Sequence, residues 1–191
     1  MLRFKRPLRN YLLLLLLLSA LGLASCKVTR NAQDNGILDG LASQKLLIEA
    51  FKKDTGIDAV WVSDTTLLNL VKSWQGSGDY PGVDNWATAT IPAGLDLYGG
   101  LPGQSEYYSI DQTITDTDTM QVAYWESLQV KAHPEFGYRP NVGIFDLKQK
   151  STVAIARTLA NPQFGSGGAW QIYLEDYKTS LTALDTIILK Q

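Results

Sequence analysis

The stretch WATATIPAGLDLY, residues 86–98, decides the fold of this 191-residue chain. Its two halves, Thr88–Ile91 and Leu95–Tyr98, are short runs of β-branched, apolar and aromatic residues, which are typical of strands. Pro92–Gly94 separates them, and a proline and a glycine this close together mark a turn. The stretch therefore predicts two strands joined by a turn. It is also the point at which the pattern of the chain changes from helical to β.

Before this stretch the spacing of apolar residues predicts two helices. The first spans Leu41–Lys53 and is followed by a short β-branched strand, Ile57–Val62. The second begins after a capping Ser63 or Asp64, and its apolar residues recur at helical spacing as far as Trp74.

After residue 98 the chain consists mainly of short β-like runs, and the segment Met120–Val130 fits both a helix and a strand. Two helices followed by many strands predict a single α+β domain over residues 37–191. In this domain the N-terminal helices pack on a curved, mostly antiparallel sheet. We expect further strands at Tyr107–Ile110, Val142–Leu147, Val153–Ala156, Trp170–Leu174 and Ile187–Leu189.

The N-terminus carries the pattern of a bacterial lipoprotein signal. Residues 1–10 hold four basic and no acidic residues, an apolar run with seven consecutive leucines follows, and Leu-Ala-Ser-Cys ends it at Cys26. This apolar run is shorter than the roughly 20 residues that span a bilayer. We expect residues 1–25 to be a signal peptide, Cys26 to be lipidated and residues 26–36 to be a flexible tether. Because Lys27 rather than an aspartate follows the cysteine, we expect attachment to an outer rather than an inner membrane.

The composition excludes several functional classes. Without the four basic residues before Cys26, 13 of the 17 Lys and Arg residues remain against 19 Asp and Glu, a formal net charge of −6. This balance argues against a nucleic-acid partner, whose phosphates attract clustered basic residues. One cysteine and one histidine, His133, exclude an internal disulfide and any multi-histidine metal site. We therefore expect no metal and no bound cofactor.

Two glycine-rich loops are candidate ligand sites. In Phe164–Gln171 the glycines permit close approach of a ligand to the backbone, and the Gln171 amide can both donate to and accept from a ribose or an amide. In Pro92–Ser105 we expect the backbone and Tyr98 to lie beside a cleft. On local pattern alone, plain turns between strands explain both loops better, so both alternatives remain open.

Charged residues outside these loops are further candidates. A carboxylate buried beside a tryptophan, such as Glu126 or Glu175, can act as a general base. The aspartates of DQTITDTDT, residues 111–119, have oxygen ligands suited to calcium, but their spacing lacks the glycine and the final glutamate of a calcium loop. We interpret them as a solvated edge, and His133 as an exposed loop residue.

Several motifs between residues 91 and 189 occur in an order known from one toxin family. They are Pro92–Gly94, Gly137–Pro140, Asn161–Gly165, Gly167-Gly168 and Gln171. In this order the chain resembles the NAD-glycohydrolase domain of the tuberculosis necrotizing toxin family, a branch of the ADP-ribosyltransferase-like toxins. The resemblance implies an ADP-ribosyltransferase-like fold with NAD as a possible substrate. It also implies that Gln171 is catalytic and that Gly167 and Gly168 form the loop on the nicotinamide side.

The wider transferase family has an Arg, Ser-Thr and Glu order that can be traced here as Arg139, Ser151-Thr152 and Glu175. The resemblance therefore implies that Arg139, together with Tyr98, binds substrate and that Glu175 is catalytic. The toxin family also carries an arginine in the strand after its Pro-x-Gly turn, and no arginine stands there in this chain. Since a tyrosine cannot replace the charge that holds a pyrophosphate, Arg139 or Arg157 would have to supply it from elsewhere.

Two functional classes follow from these observations. One is an envelope-anchored enzyme that cleaves the nicotinamide–ribose bond of NAD. The other is a non-catalytic envelope lipoprotein that binds a glycan, a peptide or a partner protein. The missing strand arginine favours the binding protein, the order of the motifs favours the enzyme, and a measurement of nicotinamide release separates them.

Overall fold

A computed structural model describes residues 40–101 and 104–191 of the chain. Residues 44–191 form one compact unit. The lipoprotein signal, Cys26 and the tether lie outside the described residues. In the described ranges no helix is both long and apolar enough to cross a membrane.

The described chain is an α+β fold, as the sequence predicts, with five helices and eight strands. In chain order the elements are α1 (40–55), β1 (Val60–Trp61), α2 (Thr65–Ser73), β2 (Asn85–Ile91), β3 (Asp96–Leu101), β4 (Tyr107–Tyr108), α3 (Asp111–Asp116), α4 (Gln121–Ser127), β5 (Asn141–Leu147), β6 (Ser151–Arg157), β7 (Trp170–Tyr173), α5 (Tyr177–Ser180) and β8 (Leu181–Ile188).

The strands form two antiparallel sheets rather than the single sheet expected from the sequence. The larger sheet has the order β1-β2-β6-β7-β4, and the smaller has the order β3-β5-β8. The turn at Pro92–Gly94 therefore does not close a hairpin. It passes the chain from β2 in one sheet to β3 in the other.

Helices α1 and α2 cover opposite faces of the larger sheet. Along β6, Val153 and Ile155 lie in the core cluster that includes Phe51 of α1, whereas Ala154 and Ala156 lie in the cluster that includes α2. This alternation follows from the two-residue period of side chains along a strand. Asp64 caps α2 as one of the two predicted candidates, because its side chain accepts the amide of Leu67 at 2.9 Å.

Helices α3 and α4 pack on the smaller sheet and resolve two open points of the sequence. The ambiguous segment from residue 120 is a helix, α4, which buries Tyr124 and Trp125. The DQTITD segment, interpreted as a solvated edge, is instead helix α3 with Thr113 and Ile114 buried. Its aspartates, Asp111 and Asp116, are exposed as predicted. The helix was missed because only Thr113 and Ile114 face the core, too few to give a recognisable helical pattern.

Candidate functional site

A cavity of about 750 Å³ lies between the end of α2, strand β3 and the segment that follows α4. It is large enough for a ligand of cofactor size. Its walls are rich in tyrosine and tryptophan, and a few polar groups lie among them. The lining residues include Trp74, Gln75, Tyr80, Asp84, Tyr98, Gly100, Tyr107, Tyr108, Tyr124, Trp125, Gln129, Lys131, His133, Arg139, Thr158 and Gln171.

A buried glutamine–aspartate–glutamine network forms one wall of this cavity. Asp84 Oδ2 accepts hydrogen bonds from Gln171 Nε2 at 2.6 Å and from Gln75 Nε2 at 2.7 Å. Its Oδ1 accepts the backbone amide of Leu159 at 2.7 Å. Asp84 is 3% exposed and Gln171 is 8% exposed, so the protein itself supplies the donors that a buried carboxylate requires.

The register of the larger sheet brings this network together. Trp86 of β2 pairs with Ala156 of β6, and Ala156 pairs with Gln171 of β7, so these three residues lie in one row on the face that α2 covers. Gln75 follows the end of α2 and accepts the indole N–H of Trp86 at 3.1 Å. Gln171 is therefore positioned by strand pairing. Gln75 is positioned by α2, which packs over this face of the sheet.

Arg139 reaches the cavity from the loop before β5 and lies against β3. A side chain at Gly100 would collide with the guanidinium Nη1 of Arg139 and would lie 3.3 Å from the ring of Trp125. The indole N–H of Trp125 also donates to the carbonyl of Arg139 at 2.7 Å, which fixes the backbone there. Arg139 therefore lies at the cavity beside the glycine of β3.

One lysine and one arginine line the cavity. Lys131 Nζ lies 2.7 Å from Asp79 Oδ2 in an exposed ion pair, and this pairing raises the Lys131 pKa. Within the described ranges no carboxylate forms an ion pair with Arg139. Arg139 is thus the cationic group at this cavity whose fork remains available for an anionic ligand.

Tyrosine hydroxyls line the rest of the wall. Tyr98 donates to Asp111 Oδ1 at 3.3 Å, and burial, with the nearby Asp111 carboxylate, raises its pKa to about 12. Burial also raises the pKa of Tyr107 to about 12 and that of Tyr124 above the usual range. These hydroxyls stay protonated at neutral pH, and those of Tyr98 and Tyr124 are already bonded, to Asp111 and to Ser109.

Three of the residues singled out from the sequence meet at this cavity: Gln171, Tyr98 and Arg139. They come from β7, β3 and the loop before β5, so the fold and not the sequence brings them together. Tyr98 lies beside a cleft, as expected from the glycine-rich stretch that contains it. Their roles in binding and catalysis stay predictions.

Gly167 and Gly168 of the glycine-rich loop Phe164–Gln171 do not line the cavity. The amide of Gly167 donates to the carbonyl of Glu126 at 3.2 Å, and the amide of Gly168 donates to that of Thr158 at 2.8 Å. A side chain at Gly167 would run into the backbone of Leu159. These glycines pack one loop against the end of α4, and their N–H groups are already used by the protein.

Glu175 lies at a different cavity, of about 380 Å³, together with Asp64, Lys150 and Asp176. It is exposed, whereas the carboxylate beside Gln171 is Asp84. His133 is also exposed, and its Nδ1 accepts the backbone amides of Glu135 and Phe136 at 3.2 Å each. The ring thus closes a loop turn at the cavity rim, which agrees with its interpretation as an exposed loop residue.

Sequence reasoning missed Asp84, Gln75 and Gln129 as residues of this cavity. Asp84 lies in GSGDYPGVDN, residues 76–85. Because this pattern predicts a turn-rich loop, in which aspartate is common, nothing local marks Asp84 as a site residue. Gln75 was missed because a polar residue at the end of a helical pattern is common and does not by itself indicate a site. The pairing of β2, β6 and β7 brings Gln171 beside Asp84, and this pairing is not visible in a single sequence.

Comparison with known proteins places the chain among toxin domains. The family model of the Rhs1 C-terminal toxin domain matches residues 63–176. A solved structure described as Rhs1-CT in complex with cognate immunity protein RhsI1 is 32% identical, with a TM-score of 0.63, covering 68% of this chain and all of that one. A structure of Tse6 in complex with Tsi6 is 16% identical with a TM-score of 0.42, covering 76% of this chain and 96% of that one. No curated protein is significantly similar to the chain.

These findings correct the family expected from the sequence. The order of glycine motifs suggested the tuberculosis necrotizing toxin family, but the family model and the 32% identical structure both point to another toxin family. Gly167 and Gly168, which were part of that motif order, bond through their amides to Glu126 and Thr158. The match of residues 63–176, together with a relative of 32% identity whose whole length is covered, shows that the chain belongs to the Rhs1 C-terminal toxin domain family.

Proposed function

We propose that this toxin domain is an enzyme that cleaves the nicotinamide–ribose bond of NAD in the cavity bounded by Gln171, Asp84 and Arg139. The observation that carries the proposal is the meeting of these three groups at one aromatic cavity of about 750 Å³. A dinucleotide needs a cation for its pyrophosphate, aromatic surface for its rings and polar groups for its riboses. The cavity offers all three.

Arg139 is the group assigned to the pyrophosphate. Its guanidinium lies at the cavity without an ionic partner among the described residues and can form charge-assisted, paired hydrogen bonds with phosphate oxygens. The neighbouring rings of Trp125 and the tyrosines provide surfaces on which the flat ends of a dinucleotide stack.

Gln171 and Asp84 are assigned to the reacting sugar. The bond from Gln171 Nε2 to Asp84 fixes the amide, so Gln171 Oε1 is the atom left to accept from a ribose hydroxyl. When the bond between nicotinamide and C1′ breaks, nicotinamide leaves with the electron pair and positive charge develops on the ribose. The buried Asp84 carboxylate stabilises that charge, and water then adds to C1′ with loss of a proton.

The test of this proposal is nicotinamide release by the purified protein. We expect NAD to be split into nicotinamide and ADP-ribose, as detected by chromatography, with and without divalent ions. If the wild-type protein releases no nicotinamide under any of these conditions, the enzyme proposal fails. The cavity would then belong to a toxin that acts by binding.

We also propose that a protein partner neutralises the domain. The relative of known structure is described in complex with a cognate immunity protein. An extract of the producing cells should therefore contain a protein that is retained by the immobilised domain and inhibits nicotinamide release. Retention without inhibition would contradict this part of the proposal.

Lipid attachment at Cys26 remains part of the proposal for where the toxin is held. Its support is the leucine-rich segment and the Leu-Ala-Ser-Cys sequence at residues 23–26. Two or three acyl chains would give stable anchoring, whereas one would not. Cys26→Ala should stop maturation and release the protein from the membrane fraction. A variant that is processed and retained like the wild type would exclude lipidation.

A further inference from the structure

Gln129 ends helix α4 in a backbone conformation that usually belongs to glycine. Its φ is +57°. The amide of Gln129 donates to the carbonyl of Glu126 at 3.2 Å, and the amide of Val130 donates to that of Trp125 at 2.9 Å. This pair of bonds is the Schellman motif of helix C-termini, in which a left-handed residue follows the helix and is most often glycine because a Cβ is disfavoured there.

The Gln129 side chain has a second unfavourable feature. It is 7% exposed, and its Nε2 has no hydrogen-bond partner in the described structure. A buried donor without a partner costs free energy, because it gave up hydrogen bonds to water without replacing them. A glycine at position 129 would avoid both the strained backbone and the unpartnered amide.

Both features lie at the proposed NAD cavity, which Gln129 lines. The hydroxyl of Tyr108, which is 2% exposed and likewise lacks a partner, lines the same cavity. The other buried side-chain atoms without partners in the described ranges belong to Trp61, Gln112 and Trp170, which do not line it. Backbone strain and unpaired polar groups retained at one cavity indicate a use for them there.

We propose that Gln129 is a substrate-binding residue whose Nε2 donates a hydrogen bond to an acceptor oxygen of the bound dinucleotide. The inference rests on the proposed function, because the ligand it names is the NAD of that proposal. A bound oxygen at this position would satisfy the orphaned donor. The oxygen belongs either to nicotinamide or to ADP-ribose, and both offer acceptor oxygens.

Asp118 is a matched control that the chain itself supplies. It follows α3 in the same motif, with φ +49°, an amide bond to Thr115 at 3.1 Å and the next amide bonded to Ile114 at 3.1 Å. Its side chain is exposed and pairs with Lys190 at 2.9 Å, and it does not line the cavity. Asp118→Gly thus relieves the same backbone conformation without touching the proposed substrate site.

The experiment compares Gln129→Gly, Asp118→Gly and wild type in the full chain, by thermal unfolding and by the kinetics of nicotinamide release. We expect each substitution to leave the unfolding midpoint unchanged or to raise it by about 2–4 °C. We expect Gln129→Gly to raise KM for NAD about tenfold, the usual loss for one hydrogen bond to a ligand. Asp118→Gly should leave KM and kcat at wild-type values.

Product inhibition identifies which half of the substrate carries the contacted oxygen. The inhibition constant of either nicotinamide or ADP-ribose should rise in Gln129→Gly by the same factor as KM. If neither constant rises and KM is unchanged in an active enzyme, Gln129 only ends the helix and the inference is wrong, while the proposed function stands. If Gln129→Gly lowers both the unfolding midpoint and the activity, Gln129 has a structural role and the inference is also wrong. A wild-type protein without turnover removes the proposed function and this inference together.

Discussion

Arg139 occupies the space beside Gly100 in which any side chain at position 100 would stand. The two residues are 39 positions apart, and the arginine enters from the loop before β5 while the glycine lies in β3. Absence of a side chain on the strand is therefore what allows a cation from elsewhere to reach the cavity. This relationship can be tested from either residue.

Gly100→Ala should weaken NAD binding without direct loss of any functional group. The added methyl would force the flexible end of the Arg139 side chain to shift. Its charge-assisted bonds to a pyrophosphate are worth about 1.5–3 kcal/mol, so complete loss of these bonds would raise KM about 10- to 100-fold and a shift that keeps some of them would raise KM less. Steady-state kinetics of nicotinamide release give this value directly. Arg139→Gln should reproduce the effect.

Gly82→Ala is the control for that substitution. A methyl at Gly82 would make only ordinary contact, 3.4 Å from Leu159, and Gly82 does not line the cavity. Its KM should equal that of the wild type. If Gly100→Ala also has the wild-type KM while Arg139→Gln does not, displacement of Arg139 is not the reason Gly100 is needed.

Glu175→Gln should leave turnover unchanged. Glu175 is exposed and lies at the smaller cavity, while the carboxylate in contact with Gln171 is Asp84. Because Glu175 lies at another cavity, removal of its charge should not change the stabilisation of the reacting sugar. A drop of kcat by a hundredfold or more would instead support the catalytic role that the resemblance implied and would contradict the assignment to Asp84.

The local elements were largely predictable because they depend on neighbours in sequence. The helix over residues 41–53 and the strands around Thr88–Ile91 and Val142–Leu147 all appear near the expected positions. The site was less predictable. Gln171 could be chosen for its chemistry, but Asp84 becomes its partner only through the row formed by three paired strands.

The division into two sheets was hidden for a similar reason. A turn such as Pro92–Gly94 has the same local chemistry whether it joins paired strands or passes the chain to another sheet. β3 pairs with β5, over 40 residues later in the chain, rather than with β2. The contact of Arg139 with Gly100 is a consequence of this long-range pairing, so no local motif predicts it.

The raised pKa of Tyr98 predicts a loss of folding stability in alkaline solution. Its pKa is about 12 in the folded protein, against about 10 in an unfolded chain. Between pH 10 and 12 the unfolded state therefore releases a proton that the folded state keeps, and stability falls as pH rises. Below pH 10 both states hold the proton and the contribution is fully present.

Tyr98→Phe should make that alkaline decline shallower, by about one proton released on unfolding near pH 11. Urea unfolding at pH 9, 10, 11 and 11.5 in both proteins measures the slope. The remaining slope in the variant comes from other tyrosines with raised pKa values, including Tyr107. Identical slopes in the two proteins would show that Tyr98 titrates normally in the folded state.

Gln171→Ala should abolish nicotinamide release while the domain stays folded. The loss of one oriented polar contact to a transition state costs about 2.7–4 kcal/mol, or about a hundred- to a thousandfold in kcat. The substitution also removes one of the two side-chain donors on Asp84 Oδ2, but Gln75 Nε2 remains at 2.7 Å, so the carboxylate is not left unpaired. Circular dichroism and the unfolding midpoint check that the fold persists.

Asp84→Asn separates the two roles within this pair. It keeps the shape of the side chain, removes the negative charge and leaves one oxygen instead of two to accept from Gln75, Gln171 and Leu159. We expect kcat to fall while KM changes little, since the charge acts on the sugar only as its bond breaks. If Gln171→Ala retains wild-type turnover, the glutamine is only a strand residue. If Gln171→Ala is inactive but Asp84→Asn is fully active, the carboxylate serves to position Gln171 and contributes no charge to the reaction.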